Sequence, residues 1–127
     1  MKRIIIFILI VFFVKSVTAQ VKLADVLFDN FEYELAAKYY SESDSLNIDQ
    51  QINHALCFYN KNNFHKAIPL FEKALEKDTD NLFLKFHYGV SLKSVGRYQS
   101  SKRILRKIYE KDSSNLYLKL HLSSLDS

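Results

Sequence analysis

The chain has 127 residues, of which 48% are hydrophobic and 25% are charged, with a formal net charge of +4. Its two Gly and one Pro fall far below average usage, which excludes a disordered or turn-rich chain and predicts an all-α fold. A single Cys excludes an internal disulfide framework. The length is that of one domain.

The N-terminal segment has the layout of a secretory signal peptide. Two basic residues open the chain, residues 4–14 are uninterruptedly apolar, and small residues precede a predicted cut after Ala19. Eleven apolar residues are fewer than the roughly 20 that a membrane-spanning helix needs. We therefore expect residues 1–19 to be a signal peptide and residues 20–127 to form an exported domain; an uncleaved membrane anchor is the alternative.

Removal of this segment changes the electrostatic interpretation of the chain. Three of the 18 basic residues lie in it, so the remainder keeps 15 basic and 14 acidic residues, a net +1. A nucleic-acid binder needs a concentrated basic surface, which this balance does not predict. The charge is uneven, however: residues 20–81 hold 6 basic and 11 acidic residues (net −5), and residues 82–127 hold 9 and 3 (net +6). The asymmetry indicates either solvated helix faces or a contact between unlike charges, head-to-tail self-association included.

A 34-residue repeat organises the chain after this segment. Each repeat contains an Asp-x-x-Asn break, whose Asn can cap the following helix; the three Asn are Asn47, Asn81 and Asn115. Between the breaks, apolar residues follow the three-four spacing of two amphipathic helices, as in helical solenoids. We predict helices near 20–30, 32–43, 48–61, 64–77, 81–95, 98–111 and 115–125.

The stretch NFHKAIPLFEKALEKDTDN resembles the second half of a tetratricopeptide-repeat unit. The matching aromatic, small and closing positions are Phe64, Ala67, Phe71, Ala74, Leu75 and Asp78. The third unit has the family's small residue at Gly89 and its turn glycine at Gly96, whereas Ser101 stands where the family has Ala. The resemblance implies a right-handed helical-hairpin solenoid of about three helix pairs plus a C-terminal helix. Its repeats would span about 20–47, 48–81 and 82–115, with a terminal helix at 116–125.

The first unit fits this pattern less well. Its second helix is about three residues short before Asp44, which we interpret as a trimmed N-terminal repeat. This unit also resembles the tetratricopeptide-repeat region that opens some bacterial peptidoglycan-binding envelope proteins. That second resemblance covers about twenty residues.

In tetratricopeptide domains the first helix of each pair lines a concave groove. By resemblance, the groove residues here would be Ile52, Leu56, Tyr59, Asn60, Phe83, Phe86, Val90, Lys93, Tyr117 and Leu120. Such an apolar groove suits a helix or an extended peptide. The resemblance therefore implies a non-enzymatic interaction module, without cofactor, that docks a protein or peptide partner in the periplasm or cell envelope. Phe83 and Tyr117 are alternatively core residues between repeats.

Some members of the family grip the acidic carboxyl ends of cytosolic chaperones through a Lys/Asn clamp. The matching positions here hold Val26, Phe86 and Val90, which cannot make charge-assisted hydrogen bonds to a carboxylate. We do not expect that class of partner.

Few residues indicate a catalytic site or a metal site. His54 and Cys57 share a helical face, but nucleophilic catalysis needs a third orienting group and an oxyanion site, which their neighbours do not supply. His87 and His121 occupy equivalent positions one repeat apart, and a metal site needs more ligands at closer spacing. We expect neither an enzyme nor a metal site.

The C-terminal stretch NLYLKLHLSSLDS matches the first helix of a fourth unit. Leu118, Leu122 and Leu125 share one face and can pack on the third unit, which leaves Leu116 and Leu120 on the other side. This adhesive end supports a second hypothesis, in which the chain is a scaffold within an envelope assembly and associates, as a homodimer for example, through its last helix.

The signal-peptide hypothesis makes a direct prediction. Protein recovered from its native host should begin at Gln20 or within a few residues of it, because the small-residue cut precedes that position. Intact-mass measurement checks this. Soluble protein whose mass includes residues 1–19 would contradict export by cleavage.

Overall fold

The structure is a computed structural model that describes all residues from 1 to 127, and its regular elements are seven helices. They are α1 (Lys2–Asp29), α2 (Tyr33–Ser41), α3 (Ile48–Asn60), α4 (Phe64–Lys77), α5 (Leu82–Ser94), α6 (Tyr98–Lys111) and α7 (Leu116–Asp126). Each helix packs on the next along the chain, and α3 also contacts α1 and α5. The chain is thus a stack of three helical hairpins closed by α7, as the repeat predicts.

Six of the seven predicted helices agree with the structure to within two residues. The exception is α1, predicted from residue 20, which runs unbroken from Lys2 to Asp29 because no Gly or Pro interrupts that stretch. The trimmed first repeat is also present, since α2 has 9 residues against 14 in α4 and in α6.

The predicted asparagine caps are confirmed at all three breaks. The side-chain oxygens of Asn47, Asn81 and Asn115 accept hydrogen bonds from backbone N–H groups three residues on, at 2.9, 3.0 and 3.2 Å. Each cap satisfies an otherwise unpaired donor and is worth about 1 kcal/mol. The Asp-x-x-Asn break therefore ends one repeat and starts the next.

Small residues allow the two helices of a hairpin to approach each other closely. A Cβ added at Gly89 would lie 2.8 Å from Leu105 Cδ2, so α5 and α6 can touch this closely only without a side chain there. Ser101 is fully buried on α6, and its hydroxyl donates to the Gly89 carbonyl oxygen at 2.7 Å. This bond explains why a Ser is accommodated where the resemblance predicts Ala.

A shared carboxylate connects the first three helices. Asp25 on α1 accepts hydrogen bonds from the Tyr40 hydroxyl on α2 at 2.7 Å and from Gln50 Nε2 on α3 at 3.1 Å. Tyr40 is fully buried, and burial, followed by its bond to Asp25, raises the pKa of its hydroxyl well above the usual value. The short first hairpin is thus joined to the second by a part-buried hydrogen bond.

The terminal helix α7 packs as its sequence predicts. Leu118 and Leu122 are buried against Leu105 and Ile108 of α6, and Leu125 joins them at the edge. Asp126, the last residue of α7, forms ion pairs with Lys102 and Arg106, which both lie on α6. The opposite side of α7 exposes the apolar residues Leu116, Tyr117 and Leu120.

The N-terminal half of α1 stands apart from the stack. Residues 1–16 are exposed throughout, and burial begins around Val21 and Ala24. The helix is long and apolar enough to cross a membrane: one 18-residue window has a mean hydropathy of 2.5 and is only 6% buried. A signal sequence has the same properties, so the helix fits both the cleaved leader and the retained anchor.

The register of α4 predicts unequal losses of stability for two neighbouring substitutions. Ala67 is fully buried at the contact with α3 and α5, so Ala67→Leu should cost about 1–3 kcal/mol through overpacking. Lys66 is exposed, and Lys66→Leu should stay within about 0.5 kcal/mol of the parent. Denaturant unfolding of both variants checks this, and equal midpoints would refute the register.

Candidate functional site

The residues expected to line the groove lie on the first helix of each pair, but they differ in accessibility. Phe83, Tyr117 and Leu120 are 50%, 73% and 58% exposed, so the alternative interpretation of Phe83 and Tyr117 as core residues is wrong. Asn60 is also exposed, and Ile52, Leu56, Tyr59, Phe86 and Lys93 are half-buried. Val90 is only 7% exposed, which corrects its assignment as a contact residue: it belongs to the packing beneath the groove.

Aromatic and imidazole rings connect the first helices of three successive repeats. His87 on α5 lies 4.9 Å from Tyr59 on α3 and 4.2 Å from Phe83, measured between ring centroids. Phe86 lies 5.3 Å from His87 and 5.7 Å from His121 on α7. We call these five side chains (Tyr59, Phe83, Phe86, His87 and His121) the aromatic seam. Their spacing is that of stabilising ring pairs, which orient the rings across the helices.

His87 and His121 are the members of the seam that sequence reasoning missed. Each lies four residues after a predicted groove position, Phe83 and Tyr117 respectively. That spacing is the available signal, because residues four apart share a helix face.

The surroundings of the two histidines favour their neutral forms. His87 Nδ1 lies 2.9 Å from the Phe83 carbonyl oxygen, to which it can donate, and burial lowers the pKa of its imidazole. Burial, and then the Lys93 ammonium, lower the pKa of His121. The seam is therefore largely uncharged at neutral pH.

Lys93 places a positive charge at one edge of the seam. Its ammonium lies 3.3 Å from His121 Nδ1 and donates to the Ser124 hydroxyl, both on α7. No carboxylate lies within ion-pairing distance of it. The concave face is thus apolar along its middle and carries a cation where α5 meets α7.

The His54 and Cys57 pair has the properties of core residues. Cys57 is 1% exposed, and burial raises the pKa of its thiol to about 12, so the thiol is not ionised at neutral pH. The His54 ring packs between Tyr40 and Phe58, with centroids 5.9 and 5.7 Å away. The structure contains no group of three or more His, Cys, Asp or Glu placed to hold a metal ion.

A large cleft lies away from the aromatic seam, among α4, α5 and α6. It has a volume of about 620 Å³ and is lined by Leu75, Thr79, Leu82, Lys85, Tyr88, Ile104, Lys107, Ile108, Glu110 and Lys111. We call it the lysine-rimmed cleft. The sequence did not predict this cleft, because its lining residues come from three helices and are up to 36 positions apart in the chain, from Leu75 to Lys111.

The fold defines the class: a helical-repeat protein in which each helix packs on the next and the hairpins stack in series. Residues 51–81 match the family model of the tetratricopeptide repeat. The chain thus carries a tetratricopeptide repeat there, and the predicted all-α helical-hairpin solenoid is confirmed.

Solved structures with this fold share little sequence with the chain. The first tetratricopeptide domain of Spaghetti (RPAP3), bound to the HSP90 peptide SRMEEVD, has a TM-score of 0.73 and 14% identity over 88% of this chain and 91% of that one. The Arabidopsis OM64 tetratricopeptide domain has a TM-score of 0.72 and 18% identity over 87% of this chain and 94% of that one. The second tetratricopeptide domain of human RPAP3, in complex with the HSP70 peptide SGPTIEEVD, has a TM-score of 0.72 and 16% identity over 87% of this chain and 98% of that one. No curated protein sequence matches the chain.

The lowered pKa of His87 predicts a pH dependence of stability. The unfolded imidazole takes up a proton near its usual pKa of about 6.5, whereas the folded one does so only at lower pH. The unfolded state then binds more protons, so the free energy of unfolding falls as pH decreases below about 6.5.

Denaturant unfolding between about pH 7 and pH 5 measures this effect. The variant His87→Gln should show a smaller decrease than the parent chain, whereas His65→Gln, at an exposed position on α4, serves as the matched control. An unchanged decrease in His87→Gln would mean that this imidazole is not protected in the folded state.

Proposed function

We propose that the chain is an exported, non-enzymatic interaction module of the cell envelope that docks an apolar peptide or helix of a protein partner on its concave face. The observation that carries the proposal is the aromatic seam, which joins three repeats and includes the exposed Phe83; Tyr117 and Leu120 on α7 are exposed as well. Aromatic side chains held in place by their neighbours are the usual energetic anchors of protein interfaces.

The chemistry of the concave face indicates what kind of segment it would bind. Phe83 and Leu120 offer apolar contact, and the Lys93 ammonium can donate to a carboxylate or a carbonyl group at one edge. A partner segment with spaced aromatic or aliphatic side chains, and an acidic group at one end, matches this distribution.

The peptides bound to two of the similar structures give limited support. The first domain of Spaghetti and the second domain of human RPAP3 are described as bound to chaperone peptides, so this fold can present a peptide-binding face. Both of those peptides end in Glu-Glu-Val-Asp. Phe86 and Val90 occupy the positions where a basic or amide clamp would be needed, so we propose a more apolar partner here.

Export is supported by the first half of α1. Residues 1–16 expose an apolar surface that the stack does not cover, and such a surface is compatible with a leader in the secretion machinery or with insertion in a membrane. In either case the repeats from α2 onward are expected outside the cytoplasm.

The alternative function is a structural scaffold that associates through α7. Leu116 is 65% exposed on the side of α7 that faces away from α6, beside Tyr117 at 73%. An exposed apolar strip of this kind favours association, either with a second copy or with another envelope protein.

Affinity capture from a detergent-solubilised envelope fraction of the native host separates the two functions. Phe83→Ala with Tyr117→Ala should remove partner capture, because anchors of this kind contribute about 2 kcal/mol or more each. Both side chains are substantially exposed, so helicity should be kept, with a loss of stability of about 1 kcal/mol from the Phe83–His87 ring pair.

Two matched variants make this result interpretable. Gln99→Ala, on the exposed side of α6, should capture the partner as the parent does. Loss of capture in Leu116→Lys, together with full capture by the Phe83 and Tyr117 variant, would favour the scaffold over the groove.

A further inference from the structure

The turn between α1 and α2 presents an unusual aromatic side chain. Phe31 is 76% exposed and has a φ of 63°, in the left-handed region that bulky residues rarely adopt. The corresponding turns of the second and third hairpins use Asn62 and Gly96, two residue types that tolerate this conformation. The Phe31 ring packs edge-on against Tyr33 on α2, with 6.1 Å between the ring centroids, but most of the residue stays exposed although its backbone is strained.

Acidic residues surround this phenylalanine. The segment Asp29–Glu34 contains Asp29, Glu32 and Glu34 and no basic residue. Glu34 lies 3.7 Å from Lys61, whereas Asp29 and Glu32 form no ion pair. The turn therefore presents an exposed aromatic ring flanked by the unpaired carboxylates of Asp29 and Glu32, and we call it the Phe31 turn.

The lysine-rimmed cleft has the complementary chemistry. Leu82, Tyr88 and Ile104 contribute to an apolar floor in a volume of about 620 Å³, a size typical of sites that enclose a ligand group. Lys107 and Lys111 stand four residues apart on one face of α6, where like charges repel, and neither forms an ion pair. Lys85, by contrast, is already 3.7 Å from Asp80.

The two features cannot meet within one molecule. The Phe31 turn lies where α1 ends and α2 begins, whereas the cleft opens where α4 and α6 end and α5 begins. These are opposite ends of the helical hairpins, separated by about 20 Å for helices of 14 residues. In addition, α1 and α2 make no close contact with α6.

We propose that these chains associate head to tail, with the Phe31 turn of one copy seated in the lysine-rimmed cleft of the next. The phenyl ring covers the apolar floor, and the Asp29 and Glu32 carboxylates lie beside Lys107 and Lys111. The same complementarity exists on a larger scale, because residues 20–81 carry a net −5 and residues 82–127 a net +6. None of the concave-face residues takes part, so the contact is independent of partner docking.

This geometry has a consequence for the size of the assembly. A contact between two different surfaces leaves one turn and one cleft free at the ends of each assembly, so copies add in series unless a ring closes. The mass of the assembly should therefore rise with concentration beyond a dimer. It should fall with added salt, because exposed charges contribute to the contact.

Two variants test the arrangement in the full chain, solubilised in detergent. Phe31→Gly removes the ring and relieves the backbone, since glycine adopts a φ of 63° without cost. Lys107→Glu with Lys111→Glu reverses the charge of the cleft rim. Each variant alone should be monomeric by sedimentation, because each lacks one of the two surfaces.

The mixture of the two variants gives the decisive result. Copies with Phe31→Gly keep an intact cleft, and copies with the reversed lysines keep an intact turn, so the mixture should form a dimer and nothing larger. The matched control, Arg103→Glu with Lys119→Glu, makes the same change of net charge at exposed positions outside the cleft lining and should assemble like the parent chain.

A crosslinking measurement locates the contact directly. Benzoyl-phenylalanine in place of Phe31, mixed with an isotopically labelled parent chain, should crosslink between copies to peptides that contain Leu82 or Ile104. Crosslinks to α7 instead, a mixture that stays monomeric, or single variants that assemble like the parent chain would each overturn the head-to-tail contact.

Discussion

The close contact between the two helices of each hairpin is the constraint on which the stack depends. At Gly89 even a methyl group would collide with Leu105, and at Ala67 a larger side chain would separate α4 from its neighbours. Ser101 meets the same requirement with a hydroxyl that bonds the Gly89 carbonyl, so a polar residue is buried without an unpaired donor. Because the second helices pack so near, the first helices of successive hairpins come side by side and form one continuous face.

That face owes its character to rings that touch across repeats. His87 contacts both Tyr59 from the preceding repeat and Phe83 on its own helix, and Phe86 extends the contact to His121. The rings hold one another in defined orientations. Less side-chain conformational entropy would therefore be lost if a segment bound to this face. Burial keeps the imidazoles neutral, so the middle of the face stays apolar and the positive charge is confined to Lys93.

The two ends of the hairpins carry opposite charges, each beside an apolar surface. Neither of these surfaces belongs to the concave face. The Phe31 turn gathers acidic residues around an exposed ring, and the cleft among α4, α5 and α6 gathers lysines around an apolar floor. The first half of α1 adds a third uncovered surface, which is apolar and long enough to cross a membrane. One small chain thus has three separate uncovered surfaces, and the proposed partner docking and the proposed self-association would use different ones.

The sequence by itself determined the repeat, six of the seven helices and the asparagine caps, because the 34-residue period and the Asp-x-x-Asn breaks are local patterns. It also placed Leu118 and Leu122 on the inner side of α7, since helical spacing alone decides which residues share a face. Only the tertiary structure decided that Val90 is buried, that His87 joins Tyr59, and that three helices enclose the lysine-rimmed cleft. These facts depend on how far apart the helices pack and how each is rotated against its neighbours, and the spacing of residues along a single helix does not contain that information.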